Sequence, residues 1–326
     1  MSVLLLNYDE VIASLSPADC AEAMAEVLAA HARGEAYMPL RSVMAAPGAA
    51  GMMGLMPAWR RGQEAVFALK AICVIPDNPT RGLDAHQGTV TLFDGDTGVP
   101  LAILNASAIT ELRTAAVSAV ATRMLAREDA RVLAILGAGV QGRAHLEALT
   151  AVRKFESVRV YSPTGTHARE LAARQATAEV TVAQSAQDAV RGADVVVVAT
   201  NSRTPVLAHE WLSPGAHVNA VGASTPAAQE LDLETVAASA LFCDSRESLR
   251  NEASEFIVAV SEGVIPGEEH VRAELGEVLA GRAPGRESDH ELTLFRSLGL
   301  AVEDLAAAVH SVERAREQGL GVEVEL

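Results

Sequence analysis

Short apolar runs separated by amphipathic segments recur through the middle of the chain. The first of these runs is followed by closely spaced glycines and then by a helical pattern. Strands are predicted at 131–136, 158–161, 182, 194–199, 217–221 and 240–243, and helices at 143–152, 167–175 and 186–190. Continuous apolar runs are typical of strands buried on both faces, and their alternation with helices indicates parallel pairing. The pattern predicts an α/β fold with a doubly wound parallel sheet.

The N-terminal third has a different pattern, in which predicted strands follow one another directly. The elements predicted there are a helix at 16–34, a strand at 65–75, a hairpin at 88–104 and a helix at 110–126. Ser16 is a favourable N-cap, Pro17 suits the first helical position, and Gly34 suits the left-handed turn that ends a helix. A last amphipathic helix begins after about Gly299, with its apolar face formed by Val302, Leu305, Val309 and Val312. We expect this last helix to pack on the N-terminal part of the chain.

Composition and charge limit the partners that the protein can have. The 326 residues, 49% of them apolar, are enough for about two domains with buried cores. Asp and Glu number 42 against 26 Lys and Arg, which gives a net charge of -16. This acidity argues against nucleic acids and anionic membranes as partners, because both require a dense basic surface. It does not exclude a small anionic substrate, since one or two buried arginines can bind a carboxylate locally.

Cysteine and histidine usage and the N-terminal sequence predict a soluble, cytoplasmic protein without a metal site. The three cysteines lie far apart and neither CxxC nor HExxH occurs, so we expect reduced thiols and no bound metal. The first ten residues contain acidic side chains and no basic cluster, unlike a signal peptide. The uncharged stretch 42–59 is interrupted by glycines and prolines and does not qualify as a membrane span.

The motif Gly137-x-Gly139-x-x-Gly142 lies between the predicted strand at 131–136 and the helix after it. Gly137 permits a tight turn, Gly139 lets the backbone approach a pyrophosphate, and Gly142 allows close packing of helix and strand. The helix N-terminus presents free N–H groups and a partial positive charge to phosphates. The motif is weak by itself, but between a strand and a helix of a βαβ unit it predicts a dinucleotide site.

The end of the second strand bears on the choice between NAD and NADP. An acidic residue there would bind the ribose 2′-hydroxyl of NAD and repel the 2′-phosphate of NADP. The segment 161–164 has no acid, and His167 and Arg169 follow it. The missing acid favours NADPH over NADH, while the lack of an arginine directly after the strand weakens this preference.

Three basic side chains that precede the predicted sheet are candidates for substrate binding. Lys70 lies in the middle of an apolar strand, where an unpaired ammonium would cost several kcal/mol. We therefore expect it to face a carboxylate or a ligand cavity, the alternative being an edge strand from which the side chain extends to water. Arg41 and Arg113, taken singly, are ordinary surface candidates.

Taken together, these residues resemble the ornithine cyclodeaminase/mu-crystallin family over nearly the whole chain. Besides the strand with Lys70, the matching segments are Met38-Pro-Leu-Arg41, His86-Gln-Gly-Thr-Val90 with Asp96-Thr-Gly98, Leu112-Arg-Thr-Ala-Ala116, Gly137-Ala-Gly-Val-Gln-Gly142, Val218-Asn-Ala-Val-Gly-Ala-Ser-Thr-Pro226, Ala273-Glu-Leu-Gly-Glu-Val278 and Leu294-Phe-Arg-Ser-Leu-Gly-Leu-Ala-Val-Glu-Asp304. The resemblance implies a homodimer. In each chain a Rossmann domain, 118–301, would accompany an α+β substrate-binding and dimerisation domain, 1–117 with 302–326.

The resemblance also implies roles for individual residues. Arg41, Lys70 and Arg113 would hold the carboxylate and nitrogen of the substrate beside the nicotinamide and serve as the catalytic group. Besides the three glycines, the implied cofactor contacts are Thr114, Val140, Gln141, Ser162, Thr164, Thr200 and Ser297. Glu252 corresponds to an acid of the substrate pocket in the mu-crystallin branch.

One position separates the branches of the family. Ornithine cyclodeaminases carry an aspartate that acts on the amino groups of the substrate and on the attacking water, whereas this sequence has Ser224 there. A serine hydroxyl has no anionic form near neutral pH and does not replace a carboxylate base. Ser224 matches the ketimine reductases and is a candidate substrate contact; alternatively, it only forms a loop at the end of a strand.

The sequence therefore predicts an oxidoreductase that uses NAD(P)H to reduce small cyclic ketimines. The expected substrates are Δ1-pyrroline-2-carboxylate and Δ1-piperideine-2-carboxylate, with L-proline and L-pipecolate as products. Ornithine cyclodeaminase or alanine dehydrogenase activity on the same scaffold is the alternative. A binding protein without enzymatic activity is a further alternative, against which the three retained cations and the glycine motif argue.

Overall fold

A computed structural model describes residues 2–62, 65–174, 179–222 and 228–325 of the chain. Contacts divide the chain into two compact units. We call Met1–Arg113 with Gly299–Leu326 the discontinuous unit, and Thr114–Leu298 the continuous unit. The boundaries after 113 and 298 fall four and three residues before the predicted ones after 117 and 301. Each unit has its own sheet.

The strands, in chain order, are β1 (Ser2–Leu6), β2 (Ala36–Tyr37), β3 (Ser42–Met44), β4 (Met52–Arg60), β5 (Val66–Val74), β6 (His86–Asp94), β7 (Pro100–Asn105), β8 (Val132–Leu136), β9 (Ser157–Tyr161), β10 (Val180–Val182), β11 (Val195–Val198), β12 (His217–Ala220), β13 (Ala240–Cys243), β14 (Val271–Glu274), β15 (Thr293–Arg296) and β16 (Val322–Glu325).

The α-helices are α1 (Tyr8–Ser14), α2 (Pro17–Arg33), α3 (Ala106–Leu125), α4 (Val140–Val152), α5 (Thr166–Arg174), α6 (Ala186–Val190), α7 (Leu233–Ala238), α8 (Arg246–Glu252), α9 (Ser254–Ser261), α10 (Leu275–Leu279) and α11 (Ala301–Gln318). Short 3₁₀ turns lie at Asn78–Arg81, His209–Trp211 and Glu268–His270.

The sheet of the continuous unit has the strand order β10-β9-β8-β11-β12-β15-β13-β14. Every neighbouring pair in it is parallel. From β8 the chain adds β9 and β10 on one side and then returns to add β11 and β12 on the other. Open α/β sheets bind ligands at such a reversal, beyond the carboxyl ends of the strands. The predicted α/β fold class is confirmed.

Alternate residues of the central strands of this sheet belong to two separate cores. Leu133 and Ile135 of β8 join one buried cluster, whereas Ala134 and Leu136 join the other. The four valines of β11 divide in the same way. Burial on both faces explains why these strands appear in the sequence as uninterrupted apolar runs.

The sheet of the discontinuous unit has the order β16-β1-β7-β6-β5-β4-β2, and β3 also pairs with β4. Strands β4 to β7 form an antiparallel meander, and β1 pairs in parallel with β7. Helix α11 packs on α2 and on β4, β5 and β6. The expectation that the last helix returns to the N-terminal part is confirmed.

The ends of two helices show how far local sequence determines them. The Ser16 hydroxyl accepts a hydrogen bond from the Asp19 amide at 3.1 Å, and Gly34 ends α2 with a φ of 80°, as expected. Helix α3 begins at Ala106 rather than near 110. The cause is Asn105, whose side-chain oxygen accepts from the Ala108 amide at 3.0 Å and so caps the helix earlier.

Strand β4 lies largely in the uncharged stretch 42–59, where glycines and prolines interrupt the alternation of apolar and polar residues that would have predicted a strand. Pro57 pairs with Leu69 of β5 and falls between the residues that pair with β2 and those that pair with β3. A residue without an N–H group is tolerated in such a gap, because no ladder hydrogen bond is lost there. Within the four described ranges, no helix is long and apolar enough to cross a membrane.

Candidate cofactor and substrate sites

The first and third glycines of the motif pack against backbone. Gly137 follows β8 with a φ of 103°, and a Cβ atom there would lie 2.2 Å from the carbonyl oxygen of Ala199. A Cβ atom on Gly142 would lie 2.0 Å from the carbonyl oxygen of Gly137. Glycine at both positions therefore lets the loop turn directly from β8 into α4 while it contacts the end of β11.

The middle glycine, Gly139, lies on the open side of the loop. It is the N-cap of α4, and no side-chain hydrogen bond caps that helix. A Cβ atom on Gly139 would meet no atom within 4 Å. An uncapped helix N-terminus with open space before it is suited to phosphate, because its first N–H groups have no intrahelical partner. The residues present thus fit the pyrophosphate of a dinucleotide.

Alanine at these two glycines should separate binding from stability. We expect Gly139→Ala to leave the melting temperature of the cofactor-free protein within about 2 °C and to weaken dinucleotide binding at least about tenfold, because the methyl group occupies the approach to the backbone. Gly137→Ala should lower the melting temperature itself, because its methyl group meets the Ala199 carbonyl. Thermal unfolding and fluorescence titration with NADH measure both effects. Wild-type affinity in Gly139→Ala would contradict the assignment of the pyrophosphate to this loop.

The other predicted cofactor contacts also belong to the continuous unit. Those that follow strands are Ser162 and Thr164 after β9, Thr200 after β11 and Ser297 after β15; Thr114 lies on α3, and Val140 and Gln141 begin α4. The Ser297 hydroxyl is buried, and no described residue hydrogen-bonds to it. A buried hydroxyl without a partner is a candidate ligand contact. The roles of these residues stay predictions.

A cavity beside the glycine loop reaches α5. Its lining residues are Ala138, Gly139, Val140, Arg143, His167, Glu170 and Leu171. The guanidinium of Arg143 and the imidazole of His167 suit a phosphate group, whereas the Glu170 carboxylate suits a ribose hydroxyl. The cavity therefore combines features that favour NADPH with one that favours NADH.

In the discontinuous unit, Lys70 and Arg113 meet at one buried carboxylate. The Lys70 Nζ and Arg113 Nε atoms both donate to Asp304 Oδ1, at 3.0 and 3.1 Å. Lys70 also donates to Thr110 Oγ1 at 3.0 Å, and Arg113 Nη1 donates to Glu303 Oε2 at 2.9 Å. The side chains of Lys70 and Asp304 are only 3% and 1% exposed. The expectation that Lys70 faces a carboxylate is confirmed.

Gly299 connects Arg41 to this pair. The Arg41 Nη2 atom donates to the Gly299 carbonyl oxygen at 2.6 Å. A Cβ atom on Gly299 would lie 2.3 Å from Arg113 Nη1, and Gly299 has a φ of 79°. Glycine is thus required where the two guanidinium groups approach the same backbone. The structure brings the three predicted cations together; we call Arg41, Lys70, Arg113, Glu303 and Asp304 the charged cluster.

The environment of Lys70 changes its acidity. Burial lowers the pKa of the Lys70 ammonium from 10.5 to about 8, the Asp304 carboxylate opposes this shift, and the charges of Arg113 and Arg41 add to it. The ammonium has three N–H donors, and two of them have acceptors among the described residues. One donor stays available for a substrate.

Sequence reasoning assigned no role to Glu303 and Asp304. Both are buried in the first turn of α11, between Val302 and Leu305. Two acids among the apolar residues of a helix were the available signal, because charged side chains are rarely buried without a partner. The partner itself was not visible, since Lys70 is 234 positions away from Asp304.

The remaining two predicted substrate contacts are Glu252 and Ser224. Glu252 ends α8 in the continuous unit and is 9% exposed. Ser224 lies outside the described residues. Both assignments stay predictions.

A sequence model of the ornithine cyclodeaminase/mu-crystallin family matches residues 2–319. The chain belongs to this family. Ketimine reductase mu-crystallin of Mus musculus is 38% identical over 275 residues, which is 84% of this chain and 84% of the relative.

Solved structures of the family superpose closely on the chain. Thermococcus litoralis Delta(1)-pyrroline-2-carboxylate reductase, in complex with NADH and L-proline, has a TM-score of 0.94 at 37% identity and covers 99% of this chain and 100% of its own. An archaeal alanine dehydrogenase dimer with bound NAD has a TM-score of 0.92 at 36% identity, with full coverage of both chains. These matches confirm the predicted family and an oxidoreductase on a nicotinamide-binding fold. The names of the relatives cover more than one substrate.

Proposed function

We propose that this family member is an NAD(P)H-dependent ketimine reductase. It would convert Δ1-pyrroline-2-carboxylate or Δ1-piperideine-2-carboxylate to L-proline or L-pipecolate. The observation that carries the proposal is the charged cluster, in which Lys70 and Arg113 meet at Asp304 and Arg41 donates to the Gly299 carbonyl beside Arg113. Guanidinium and ammonium groups gathered at one place suit a substrate carboxylate, which they bind through charge-assisted hydrogen bonds. The likeness to a reductase bound to NADH and L-proline supports it.

Each cation of the charged cluster would have a defined task. Arg41 and Arg113 would orient the substrate carboxylate through charge-assisted hydrogen bonds, which fixes the imine carbon next to it. A bound reduced nicotinamide supplies the hydride. The imine nitrogen also takes up one proton during reduction, and the third N–H of Lys70 would supply that proton or bind the carboxylate. Either task requires the ammonium form of Lys70.

Alanine dehydrogenase is the second candidate, because a relative with that name matches the chain over its full length. The charged cluster would bind the carboxylate of pyruvate equally well, so the two reactions differ in the source of nitrogen. Ornithine cyclodeamination fits less well, because Ser224 replaces the aspartate and supplies no carboxylate for a diamine. Substrate tests therefore decide between the candidates.

For the cofactor, we propose that NADPH is accepted in preference to NADH. The support is the absence of an acid at the end of β9, together with Arg143 and His167 in the adjacent cavity. Glu170 in the same cavity acts in the opposite direction, and relatives have been solved with NADH and NAD. The expected preference is therefore for NADPH with measurable use of NADH.

The test follows the absorbance of NADPH and NADH with each imine at mildly acidic and neutral pH. We expect oxidation of the cofactor, faster with NADPH and faster where more of the imine is protonated. No oxidation with either imine would overturn the proposal. Oxidation with pyruvate and ammonia instead would identify alanine dehydrogenase, and proline formation from ornithine would identify cyclodeamination.

We also propose that the chain forms a homodimer through the outer face of the sheet in the discontinuous unit. Phe67 of β5 is 47% exposed and Leu55 of β4 is 38% exposed. Phe67 pairs across the strands with Trp59 and with Phe93. Their neighbours in sequence, such as Ala68, point to the side covered by α11. A second copy is the proposed occupant of this apolar face, and a solved relative is a dimer.

A charge in the middle of that face should separate the subunits. We expect Phe67→Asp to convert the dimer into monomers in sedimentation experiments, because a buried unpaired carboxylate at the interface costs more than the contacts supply. Val264→Asp is the matched control, since Val264 is 43% exposed in the continuous unit, and it should stay dimeric. A dimeric Phe67→Asp variant would place the interface elsewhere.

A further inference from the structure

A fully buried carboxylate connects the carboxyl ends of two strands in the continuous unit. Glu230 is 0% exposed. Its Oε1 atom accepts hydrogen bonds from the Thr200 amide at 2.6 Å and from the Thr200 hydroxyl at 2.7 Å. Its Oε2 atom accepts from the Gly222 amide at 2.6 Å. Thr200 follows β11 and Gly222 follows β12, so one side chain fixes both ends.

Thr200 lies against the glycine loop, and Gly222 lies against Thr200. A Cβ atom on Gly137 would lie 3.2 Å from the Thr200 Cγ2 atom. A Cβ atom on Gly222 would lie 1.9 Å from the Thr200 carbonyl oxygen and 2.5 Å from Glu230 Oε1. Because these contacts leave no free space, a displacement of Thr200 or Gly222 would also displace the glycine loop, where the pyrophosphate is expected to bind.

The hydrogen bonds favour the ionised form of Glu230. Three donors point at its two oxygens, and an ionised carboxylate accepts all three without a proton of its own. Burial raises the pKa of Glu230 from 4.5 to about 7, while the Arg296 charge and the Thr200 hydrogen bonds lower it and the Glu255 charge raises it. Glu255 accepts from the Glu230 amide at 2.8 Å, and Arg296 donates to the Ala220 carbonyl at 2.9 Å.

We propose that Glu230 is a positioning residue for the dinucleotide: its ionised carboxylate fixes Thr200 and Gly222 at the sheet edge where the cofactor binds. Glu230 itself need not touch the cofactor. The proposal rests on the proposed function only for the identity of the cofactor, and it predicts that protonation of Glu230 weakens cofactor binding. It differs from a purely structural role, which would change stability alone.

The test is fluorescence titration of the cofactor-free protein with NADH and NADPH over a range of pH. Glu230→Gln preserves the shape of the side chain but turns one acceptor into a donor, and we expect its dissociation constant at alkaline pH to rise about tenfold. The wild-type dissociation constant should rise as the pH falls through about 7, whereas that of Glu230→Gln should vary little there. If Glu230→Gln bound the cofactor within about twofold of the wild-type affinity and kept the wild-type pH dependence, the proposal would be overturned.

Asp194→Asn is the matched control. The Asp194 Oδ2 atom accepts from the amides of Arg131 and of Val132, the first residue of β8, at 2.8 and 2.9 Å. A carboxylate thus accepts backbone N–H groups here as well, but at the amino ends of the strands instead of at their carboxyl ends. We expect Asp194→Asn to lower the melting temperature and to leave the dissociation constant for NADH unchanged. A rise equal to that of Glu230→Gln would show a general loss of packing and overturn the positioning role.

A second measurement does not depend on the folding of any variant. Hydrogen exchange at the Thr200 and Gly222 amides of the wild-type protein, corrected for intrinsic rates, should accelerate as the pH falls through about 7. Unchanged protection would overturn the proposal. If NADH binds but neither imine is reduced, only the proposed reaction fails; if neither NADH nor NADPH binds the wild-type protein, the positioning role fails as well.

Discussion

Replacing Lys70 by methionine is expected to lower kcat for imine reduction by a factor of about 10² to 10⁴. Methionine fills the same buried volume but donates no hydrogen bond to Asp304, Thr110 or the substrate. Steady-state kinetics with pyrroline-2-carboxylate measure the effect. The sequence contains a single other lysine, Lys154, which is exposed, so Lys154→Met is the matched control and should react like wild type. Turnover close to wild type in Lys70→Met would remove Lys70 from the reaction.

The pH dependence of the same reaction tests which form of Lys70 acts. Both proposed tasks need the ammonium, so kcat/KM of the wild type should fall as the pH rises through about 8, and Lys70→Met should lack this step. Stability has the opposite dependence. Because the pKa is lower in the folded state, the unfolded state binds more protons between about 8 and 10.5, and the free energy of unfolding should rise with pH in that window. A kcat/KM that rises through about 8 would assign the neutral amine instead.

Replacing Asp304 by alanine is expected to lower the free energy of unfolding by about 3–5 kcal/mol. The reason is that Lys70 and Arg113 share its Oδ1 atom, and its removal leaves buried cations without full compensation. Urea unfolding measures the loss. Glu313→Ala on the same helix is the control, because the Glu313 side chain is 61% exposed, and it should change the free energy by less than about 1 kcal/mol. A similarly small loss for Asp304→Ala would mean that water replaces the carboxylate.

The elements around the glycine loop of the continuous unit could be predicted largely from local sequence. The apolar run at 131–136, the three glycines and the buried run at 194–199 predicted β8, the loop and β11 within about one residue. Such strands are buried on both faces, so their composition alone distinguishes them from half-exposed strands. The glycines are required by contacts inside one βαβ unit and with the next strand. Because the contacting residues lie close together in the sequence, this part of the fold could be predicted from it.

Strand β4 and the early start of α3 were not predicted. Pro57 and Gly54 break the alternation in β4, and only its pairing with β5 along nine positions shows that it is a strand. Asn105 is both the last residue of β7 and the residue that caps α3. The strand pattern and the helix cap therefore meet at one position, and the start of the helix was placed too late. In β4 tertiary pairing overrides a local preference, whereas the early start of α3 is a local capping effect.

The sequence by itself determined the family, the parallel sheet, the glycine loop and the three cations Arg41, Lys70 and Arg113. The tertiary structure alone decided that Asp304 joins Lys70 to Arg113, that Gly299 brings Arg41 beside Arg113, and that Glu230 connects the ends of β11 and β12. The physical reason is that a buried charge must find a partner, and this requirement does not depend on distance along the chain. Periodicity and glycine spacing are local, whereas charge compensation is a property of the folded interior.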